Sequence, residues 1–252
     1  MAFKSLAHKA AVLVALLFLA FSVGVTVHAD EIERLKGEVK SLEQSLQEAE
    51  TSETEANKKV KENQRLQKDA KGEEKERLKA EGLKLAEAVR TAGNNRTRAA
   101  VSLAGKRSEL RGEASKVAEE QITAAGDTNT RAKKAGDALS TWSAALGDRV
   151  PTPPVSRDTS KMDPSEAAEA KRDDKARLQE FVDWADKEKE RLDTEIARAD
   201  SLVKNENKFS GADAHDRLLN ESKNLKSTLD TRKKNVDSQL RAAKEVLRAL
   251  ER

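Results

Sequence analysis

The placement of proline is the sequence feature that most constrains what this chain can fold into. All of its prolines fall in one short segment, and they are Pro151, Pro153, Pro154 and Pro164. A proline removes a backbone amide donor and its ring clashes with the preceding helical turn, so a long helix is interrupted there and nowhere else by proline. The sequence therefore predicts a connection at residues 149–165, between N-terminal helices at 30–148 and a C-terminal helical pair at 166–252. We expect residues 30–252 to form one elongated domain.

A coiled-coil pattern of apolar residues follows the start of the N-terminal segment. Residues 31–92 carry apolar side chains at alternating three- and four-residue steps, the spacing of a heptad seam. The first of them are Ile32, Leu35, Val39, Leu42, Leu46 and Ala49. The stripe is weakest over residues 51–72, where polar side chains dominate. If the whole stretch is helical, about 60 residues at 1.5 Å each extend roughly 90 Å.

Glycine and asparagine predict where this first helix ends. Gly93-Asn94-Asn95 tolerates left-handed backbone angles and predicts a turn before a second helix at 96–125. Gly126-Asp127 predicts a break before a third helix at 129–147, and the alternative is that this helix continues the second.

The C-terminal half begins with a helix-start signal. Asp163-Pro164-Ser165-Glu166 places Asp at the N-cap and Pro at the first helical position. Glu stands at the third helical position, where its side chain can reach back to the N-cap residue. This signal predicts a fourth helix at 164–206, and Ser210-Gly211 predicts a break before a fifth at 213–251. No window of the mature chain shows the alternation of a strand. The predicted fold class is therefore all-α, an elongated antiparallel bundle of long coiled-coil-like helices with two or three helices in cross-section and no sheet. With no cysteine in the chain, packing alone must stabilise it.

A secretory signal peptide is predicted at residues 1–29. Lys4 and Lys9 precede an uncharged, mostly apolar run at 10–27, and cleavage is expected after Ala29. The alternative is an uncleaved membrane anchor, because the run approaches the roughly 20 residues that a spanning helix needs. Cleavage removes two of the 48 basic residues and none of the 45 acidic ones, which leaves a net charge of +1. Interspersed and balanced charges give no reason to expect a nucleic-acid partner.

The mature chain offers little chemistry for catalysis or metal binding. It has one histidine, His215, expected in the first turn of the fifth helix as a solvated or capping residue. The acidic pairs Asp173-Asp174 and Glu119-Glu120 are expected on solvated helix faces, whereas a catalytic pair needs at least one desolvated carboxyl group. No phosphate-binding glycine loop is present. We therefore expect no enzymatic activity, and no catalytic, cofactor-binding or metal-binding residues.

Two sequons are candidate N-glycosylation sites if the exporting cell is eukaryotic. Asn95 lies at the predicted turn, where an acceptor is accessible. Asn220 lies within a predicted helix and is the weaker candidate. Chance occurrence in so polar a chain is the alternative for both.

An exported, cysteine-free chain rich in alanine and glutamate, with a long heptad helix at each end, resembles the alanine-rich and glutamic acid/alanine-rich surface proteins of insect-stage trypanosomes. The resemblance covers the whole chain in architecture and rests on no diagnostic motif. It implies an elongated helical bundle held on the cell surface by a C-terminal lipid anchor. The sequence departs from that pattern, because it ends Ala249-Leu250-Glu251-Arg252 without the hydrophobic tail of an anchor signal. Either the sequence stops before that signal, or the protein is secreted, or the family is wrong.

These features predict a non-enzymatic protein of the cell surface or extracellular space, a charged rod that forms a spacer or coat beside neighbouring coat proteins or copies of itself. The alternative is a receptor or adhesin that binds a host or vector protein at a helix end or loop. Trp142 and Phe209 are the aromatic candidates for that contact, although Trp142 lies on an apolar seam, as core residues do. A lipid-binding amphipathic protein is disfavoured by the narrow seams. Membrane contact is expected only through an anchor.

Overall fold

The computed structural model describes residues 3–147, 150–156, 159 and 162–251, with side chains from residue 28 onward. These residues form five α-helices and one short 3-10 helix, with no strand among them, so the all-α prediction is confirmed. The helices are α1 (Phe3–Asp69), α2 (Gly72–Glu120), α3 (Thr128–Leu146), α4 (Pro164–Lys204) and α5 (His215–Leu250), and the 3-10 helix spans Glu206–Phe209.

The first reversal of the chain lies at residues 70–71, so the predicted turn at 93–95 is wrong. Gly72 has a φ of +57°, in the left-handed region that glycine enters without the steric cost of a Cβ. α2 then runs without interruption through residues 93–95. Gly93 faces α1 instead, because a Cβ built there would lie 3.4 Å from Glu53 Oε1. Its small size allows close packing of the two helices and does not end one.

The predicted single helix at 31–92 is therefore an antiparallel hairpin of α1 and α2. Late residues of α2 meet early residues of α1: Lys106 Nζ lies 3.0 Å from Glu38 Oε2, and Arg96 Nε lies 3.2 Å from Glu53 Oε2. In the part of the chain that the structure describes, the backbone of α1 packs closely against α2 alone. The side chains that join the two helices are Leu35 and Val39 on α1 and Leu103 and Leu110 on α2.

Helices α2 to α5 form a four-helix bundle in which the chain direction alternates. α4 runs parallel to α2, since Arg177 contacts Asn94 and Arg198 Nη1 donates to Ser115 Oγ at 2.8 Å. α3 runs back along α2 after the turn at residues 121–127. The offset between the contacting residues of α2 and α4 is nearly constant, so the two helices keep one register along their shared length.

α5 completes the bundle by running antiparallel to α4. Lys244 Nζ lies 3.0 Å from Asp186 Oδ2, and Lys226 contacts Asp200 nearer the other end of the pair. The cross-section therefore contains four helices with α1 as a fifth on the outside, and the prediction of two or three is wrong. The buried surface of each helix from α2 to α5 is wider than a single heptad stripe. Each of them therefore packs against two other helices of the bundle.

The predicted helix starts and breaks in the second half of the chain are confirmed. Gly126 has a φ of +119° and Asp127 caps α3 by accepting from Thr130 N at 2.8 Å, so α3 does not continue α2. Asp163 caps α4 by accepting from the backbone amides of Ser165 and Glu166, each at 3.0 Å. Both caps satisfy amides that a helix start leaves without partners.

The core of the bundle combines a few large side chains with many alanines. Its largest fully buried apolar residues are Trp142, Phe181, Phe209, Leu139, Leu178, Leu192, Leu202, Leu218 and Leu229. Burying each leucine or aromatic side chain contributes roughly 1.5–3 kcal/mol relative to leaving it exposed. Alanines such as Ala114, Ala132 and Ala185, all fully buried, let the helix backbones approach closely.

The predicted signal peptide at 1–29 lies almost wholly outside the residues whose side chains the structure describes. Among the residues that are described, none of the helices is apolar over enough of its length to cross a bilayer.

Candidate functional site

The two candidate glycosylation residues are exposed on helices. Asn95 lies inside α2, and not in a turn as predicted, while Asn220 lies inside α5 as expected. The hydroxyl of the first sequon, Thr97 Oγ1, donates to Gly93 O at 3.1 Å within the helix. The structure therefore removes the predicted difference in local conformation between the two asparagines.

His215 occupies the first turn of α5, as predicted. Its Nδ1 lies 3.3 Å from Asp216 Oδ1. Among the described residues, no group of three or more histidine, cysteine, aspartate or glutamate side chains is placed to hold a metal ion.

Neither aromatic candidate for a docking contact is on the surface. Trp142 and Phe209 are both fully buried. Trp142 Nε1 donates to Glu195 Oε2 at 2.7 Å, and Arg131 lies over the Phe209 ring with its guanidinium carbon 5.8 Å from the ring centre. Both residues belong to the core, so they cannot anchor a partner without unfolding of the bundle.

One acidic pair departs from its prediction of a solvated face. Asp174 is buried on α4 and forms an ion pair with Arg177, which also donates to Asn94 on α2. Burial is compensated there by a charged partner, as buried carboxylates require. Of the other pair, Glu119 lies 3.3 Å from Arg198 Nε and remains substantially exposed.

A buried cluster of charged side chains at the centre of the bundle is the most distinctive site of the structure. It contains Arg111 from α2, Glu188 and Glu195 from α4, Arg232 from α5 and the indole of Trp142 from α3. All five residues are buried, with relative exposures between 0% and 7%. The cluster therefore joins all four helices of the bundle, α2, α4 and α5 through charged side chains and α3 through an indole.

Arg111 is the central residue of this cluster. Its Nη2 donates to Glu188 Oε1 at 2.6 Å, and its Nε donates to Glu195 Oε2 at 3.0 Å. One guanidinium thus bridges two carboxylates on the same helix. Burial acts to lower the pKa of Arg111, but the charges of Glu195 and Glu188 outweigh it and the pKa is raised above its ordinary value. Arg111 stays ionised in the fold.

Arg232 supplies a second positive charge next to the carboxylate of Glu188. Its Nε lies 3.2 Å from Glu188 Oε1, and its Nη1 donates to Leu146 O, at the end of α3, at 2.7 Å. That carbonyl is one of those a helix end leaves without an intrahelical donor, so the arginine also caps α3. Burial and the nearby positive charge of Arg111 lower the pKa of Arg232. Two cations and two carboxylates together make the cluster neutral.

Glu195 has a shifted pKa. Burial raises its pKa above the ordinary value, against the opposing effects of Arg111 and of the Trp142 indole. A raised pKa in a carboxyl group is a mark of many catalytic acids. Here both oxygens of Glu195 already accept hydrogen bonds from Arg111, and Oε2 also accepts from Trp142. The group is placed to hold helices together and has no oxygen directed at a substrate.

A cleft of about 340 Å³ between α1, α2 and α4 reaches the cluster from outside and has Glu195 in its wall. Most of the charged residues around it are neutralised by neighbours, for example Glu113 by Lys116 at 2.6 Å. Buried Ser108 adds a hydroxyl without a hydrogen-bond partner in the described structure. Mixed, paired charges of this kind give no excess of one sign for selecting an ionic ligand.

Comparison of the chain with known protein families, curated proteins and solved structures gave no match. The function of this chain must therefore be inferred from its sequence and from the geometry of the bundle.

Proposed function

We propose that this is a non-enzymatic, exported protein of the cell surface or extracellular space, whose helices form a structural spacer or coat. The observation that carries the proposal is the outer part of the α1–α2 hairpin. Between residues 47 and 91, only Asn63 and Leu78 are buried. Roughly 20 residues per helix form this arm, which extends about 30 Å at 1.5 Å per residue. A two-helix arm encloses no volume for a substrate, but it can hold neighbouring surfaces apart.

The bundle supplies what such an arm needs at its base. α2 belongs both to the arm and to the bundle, since it continues without interruption from Gly72 to Glu120. Movement of the arm is therefore resisted by the packing of α2 against α3 and α4, and by the contacts of Arg111. Because α2 is continuous and one end of it is fixed in a packed core, the arm keeps its orientation relative to the bundle. A spacer requires that rigidity.

The resemblance to the surface proteins of insect-stage trypanosomes favours the same function. It implies helical bundles packed side by side over a membrane, with neighbouring coat proteins or further copies as partners. A charged exterior with balanced signs suits such crowding, because it stays hydrated without strong repulsion between neighbours. We propose membrane attachment only through an anchor.

A receptor or adhesin is the second candidate, and one observation favours it. A groove of about 260 Å³ lies between the base of the α1–α2 hairpin and the connection before α4, with Leu46, Arg96 and Pro151 in its wall. Nearby, Val155 leaves 85% of its surface exposed. Exposed apolar side chains on a connecting segment are typical of contact sites for proteins. In this second proposal, a protein ligand docks on the connection and not on Trp142 or Phe209.

Antibody labelling of cells tests the surface proposal. An antibody raised against the arm, residues 72–91, is applied to intact cells and to permeabilised cells of the same culture. We expect equal labelling of both, with loss of the signal after brief protease treatment of intact cells. Labelling that appears only after permeabilisation would remove the proposal. An antibody against a known intracellular protein provides the control for membrane integrity.

A further inference from the structure

The outer half of α1 carries charged side chains that have no ion-pair partner among the described residues. They are Glu48, Glu50, Glu55, Lys58, Lys59, Lys61, Glu62, Arg65 and Lys68, and every one is exposed. Other charges on α1 are paired, as Lys36 is with Glu33 at 2.7 Å and Glu53 is with Arg96. These nine unpaired charges therefore lie close together on the outer half of one helix.

Within this stretch the two signs are separated along the helix. Residues 48–55 carry only acidic charges, whereas residues 58–69 carry five cations and two acids, Glu62 and Asp69. Lys58, Lys61 and Arg65 follow each other at steps of three and four, which places them on one stripe of the helix surface. The stripe faces away from α2, since the side chains that pack on α2 fall between these positions. Glu48 and Glu55 share one side of the helix with Lys58, Glu62 and Arg65, because these positions are in heptad register. This side is negative at one end and carries a net positive charge at the other.

A face of this kind is complementary to a second copy of itself. If two α1 helices lie antiparallel about a two-fold axis near residues 56–57, the acidic residues 48–55 of each copy face residues 58–65 of the other. Glu48 then lies across from Arg65, and Glu55 lies across from Lys58. We propose that two copies of this protein associate through the outer faces of their α1 helices in this antiparallel, two-fold arrangement. Leu66, 48% exposed beside Arg65, is partly covered by that contact.

The contact is a weak one, because exposed ion pairs are screened by salt and each contributes little. It suits molecules held at high local concentration, such as neighbours in a coat. Only the idea that this contact operates between neighbours in a coat rests on the proposed function. Association of the purified protein in solution is a separate property, so its absence would leave the labelling experiment on cells unaffected.

Sedimentation velocity of the full mature chain tests the proposal. We compare low and high salt, about 10 mM and about 1 M, at which the Debye length is about 30 Å and about 3 Å. A dimer should form at low salt as the protein concentration rises, and it should dissociate at high salt. A chain that stays monomeric at low salt and at the highest soluble concentration would overturn the proposal.

Charge reversal identifies the face that associates. One variant reverses three charges of the acidic segment, with Glu48→Lys, Glu50→Lys and Glu55→Lys. The other makes it acidic at its basic end, with Lys58→Glu, Lys61→Glu and Arg65→Glu. Each variant alone should associate at least about tenfold more weakly than the wild type, because like charges then face each other. An equimolar mixture of the two should associate again.

A matched control reverses three exposed charges on α5, which lies away from the arm: Lys223→Glu, Lys234→Glu and Arg248→Glu. This variant should dimerise like the wild type, and circular dichroism should show that all variants keep their helices. Dimers that survive either α1 reversal would refute the proposed face. So would a monomeric wild type that sediments with phosphatidylserine vesicles, since the partner of the basic stripe would then be an anionic membrane.

Discussion

Removing Arg111 should destabilise the bundle far more than removing an arginine from its surface. Arg111 bridges Glu188 at 2.6 Å and Glu195 at 3.0 Å, and its side chain is fully buried. Arg111→Met has a similar length but leaves two carboxylates with one remaining cation, Arg232. Breaking a buried ion pair by removal of one partner costs about 3–5 kcal/mol. At about 2–4 °C per kcal/mol for a chain of this size, the melting temperature should fall on the order of 10 °C.

The double variant Arg111→Met/Glu195→Leu should recover much of that loss. It removes one cation and one carboxylate, and so leaves Glu188 and Arg232 as a neutral pair. The Trp142 indole then loses its acceptor, which costs about 1–3 kcal/mol. We expect the double variant to be more stable than Arg111→Met alone, with a coupling free energy on the order of 3 kcal/mol between the two sites.

Guanidinium unfolding, followed by far-UV circular dichroism and by tryptophan fluorescence, measures these free energies. The control is Arg98→Met, which removes an exposed partner 3.7 Å from Glu180 and should cost only about 0–1 kcal/mol. Two results would refute the argument. One is a loss of unfolding free energy in Arg111→Met no larger than in the control. The other is a double variant whose loss equals the sum of the losses in Arg111→Met and in Glu195→Leu.

Three further outcomes are expected at the helix ends and the sequons. Gly72→Ala should destabilise the fold by about 1 kcal/mol in thermal unfolding, because φ at this turn is +57°, whereas Gly105→Ala within α2 should not. Hydrogen bonds from the backbone amide of Glu166 and from the Ser165 hydroxyl hold the pKa of Asp163 in the folded protein below its ordinary 3.8. The ionised carboxylate therefore stabilises the fold above pH 3.8, and this stabilisation is lost as the pH falls through the pKa of the folded state. Asp163→Asn keeps a cap without this titration, and its melting temperature should approach that of the wild type as pH falls from 7 to below 3.8; a constant gap would contradict the assignment. In a eukaryotic host, Asn95→Gln and Asn220→Gln should each remove one glycosidase-sensitive mobility shift on gels, and unchanged mobility in both would show that neither sequon is used.

Local signals in the sequence are sufficient to predict most of the helices. The N-cap at Asp163 and the break at Gly126 each depend on only a few neighbouring residues, and both are found at the predicted positions. Such signals work because capping and left-handed backbone angles are decided within one turn of helix. The predicted helices at 129–147, 164–206 and 213–251 accordingly agree with α3, α4 and α5 to within a few residues.

The position of the hairpin turn cannot be predicted in the same way, because the local turn residues favour the wrong stretch. Residues 93–95 offer a glycine and two asparagines, while the true reversal offers only Gly72 after a lysine. Tertiary packing decides between them: Asn94 accepts a hydrogen bond from Arg177 on α4, and Ala92 is buried. A contact with a helix more than eighty residues away cannot be deduced from local propensity.

The buried cluster has a signal in the sequence that apolar periodicity alone does not include. On α4, Glu188 and Glu195 fall between Ala185, Leu192 and Ala199, at the steps of three and four residues where a seam continues. On α5, Arg232 falls in the same way between Leu229 and Val236. A charged residue in a seam position predicts either that the seam is interrupted there or that the charge is buried against a partner of opposite sign. The sequence alone cannot pair these three residues with each other and with Arg111, because the four come from three different helices.

The spacing of the two carboxylates explains what the cluster adds to a core made largely of leucine and alanine. A heptad seam that slides by one repeat meets similar apolar residues again, so packing alone distinguishes poorly between registers. Glu188 and Glu195 are themselves one heptad apart, and Arg111 bridges both. A slip by one heptad would leave one of them in the core without a cation, at a cost of about 3–5 kcal/mol. In the Arg111→Met/Glu195→Leu variant this penalty is absent, so we expect more than one set of amide resonances for α2 and α4 in its NMR spectrum. A single set with wild-type dispersion would show that the apolar side chains fix the register without the charges.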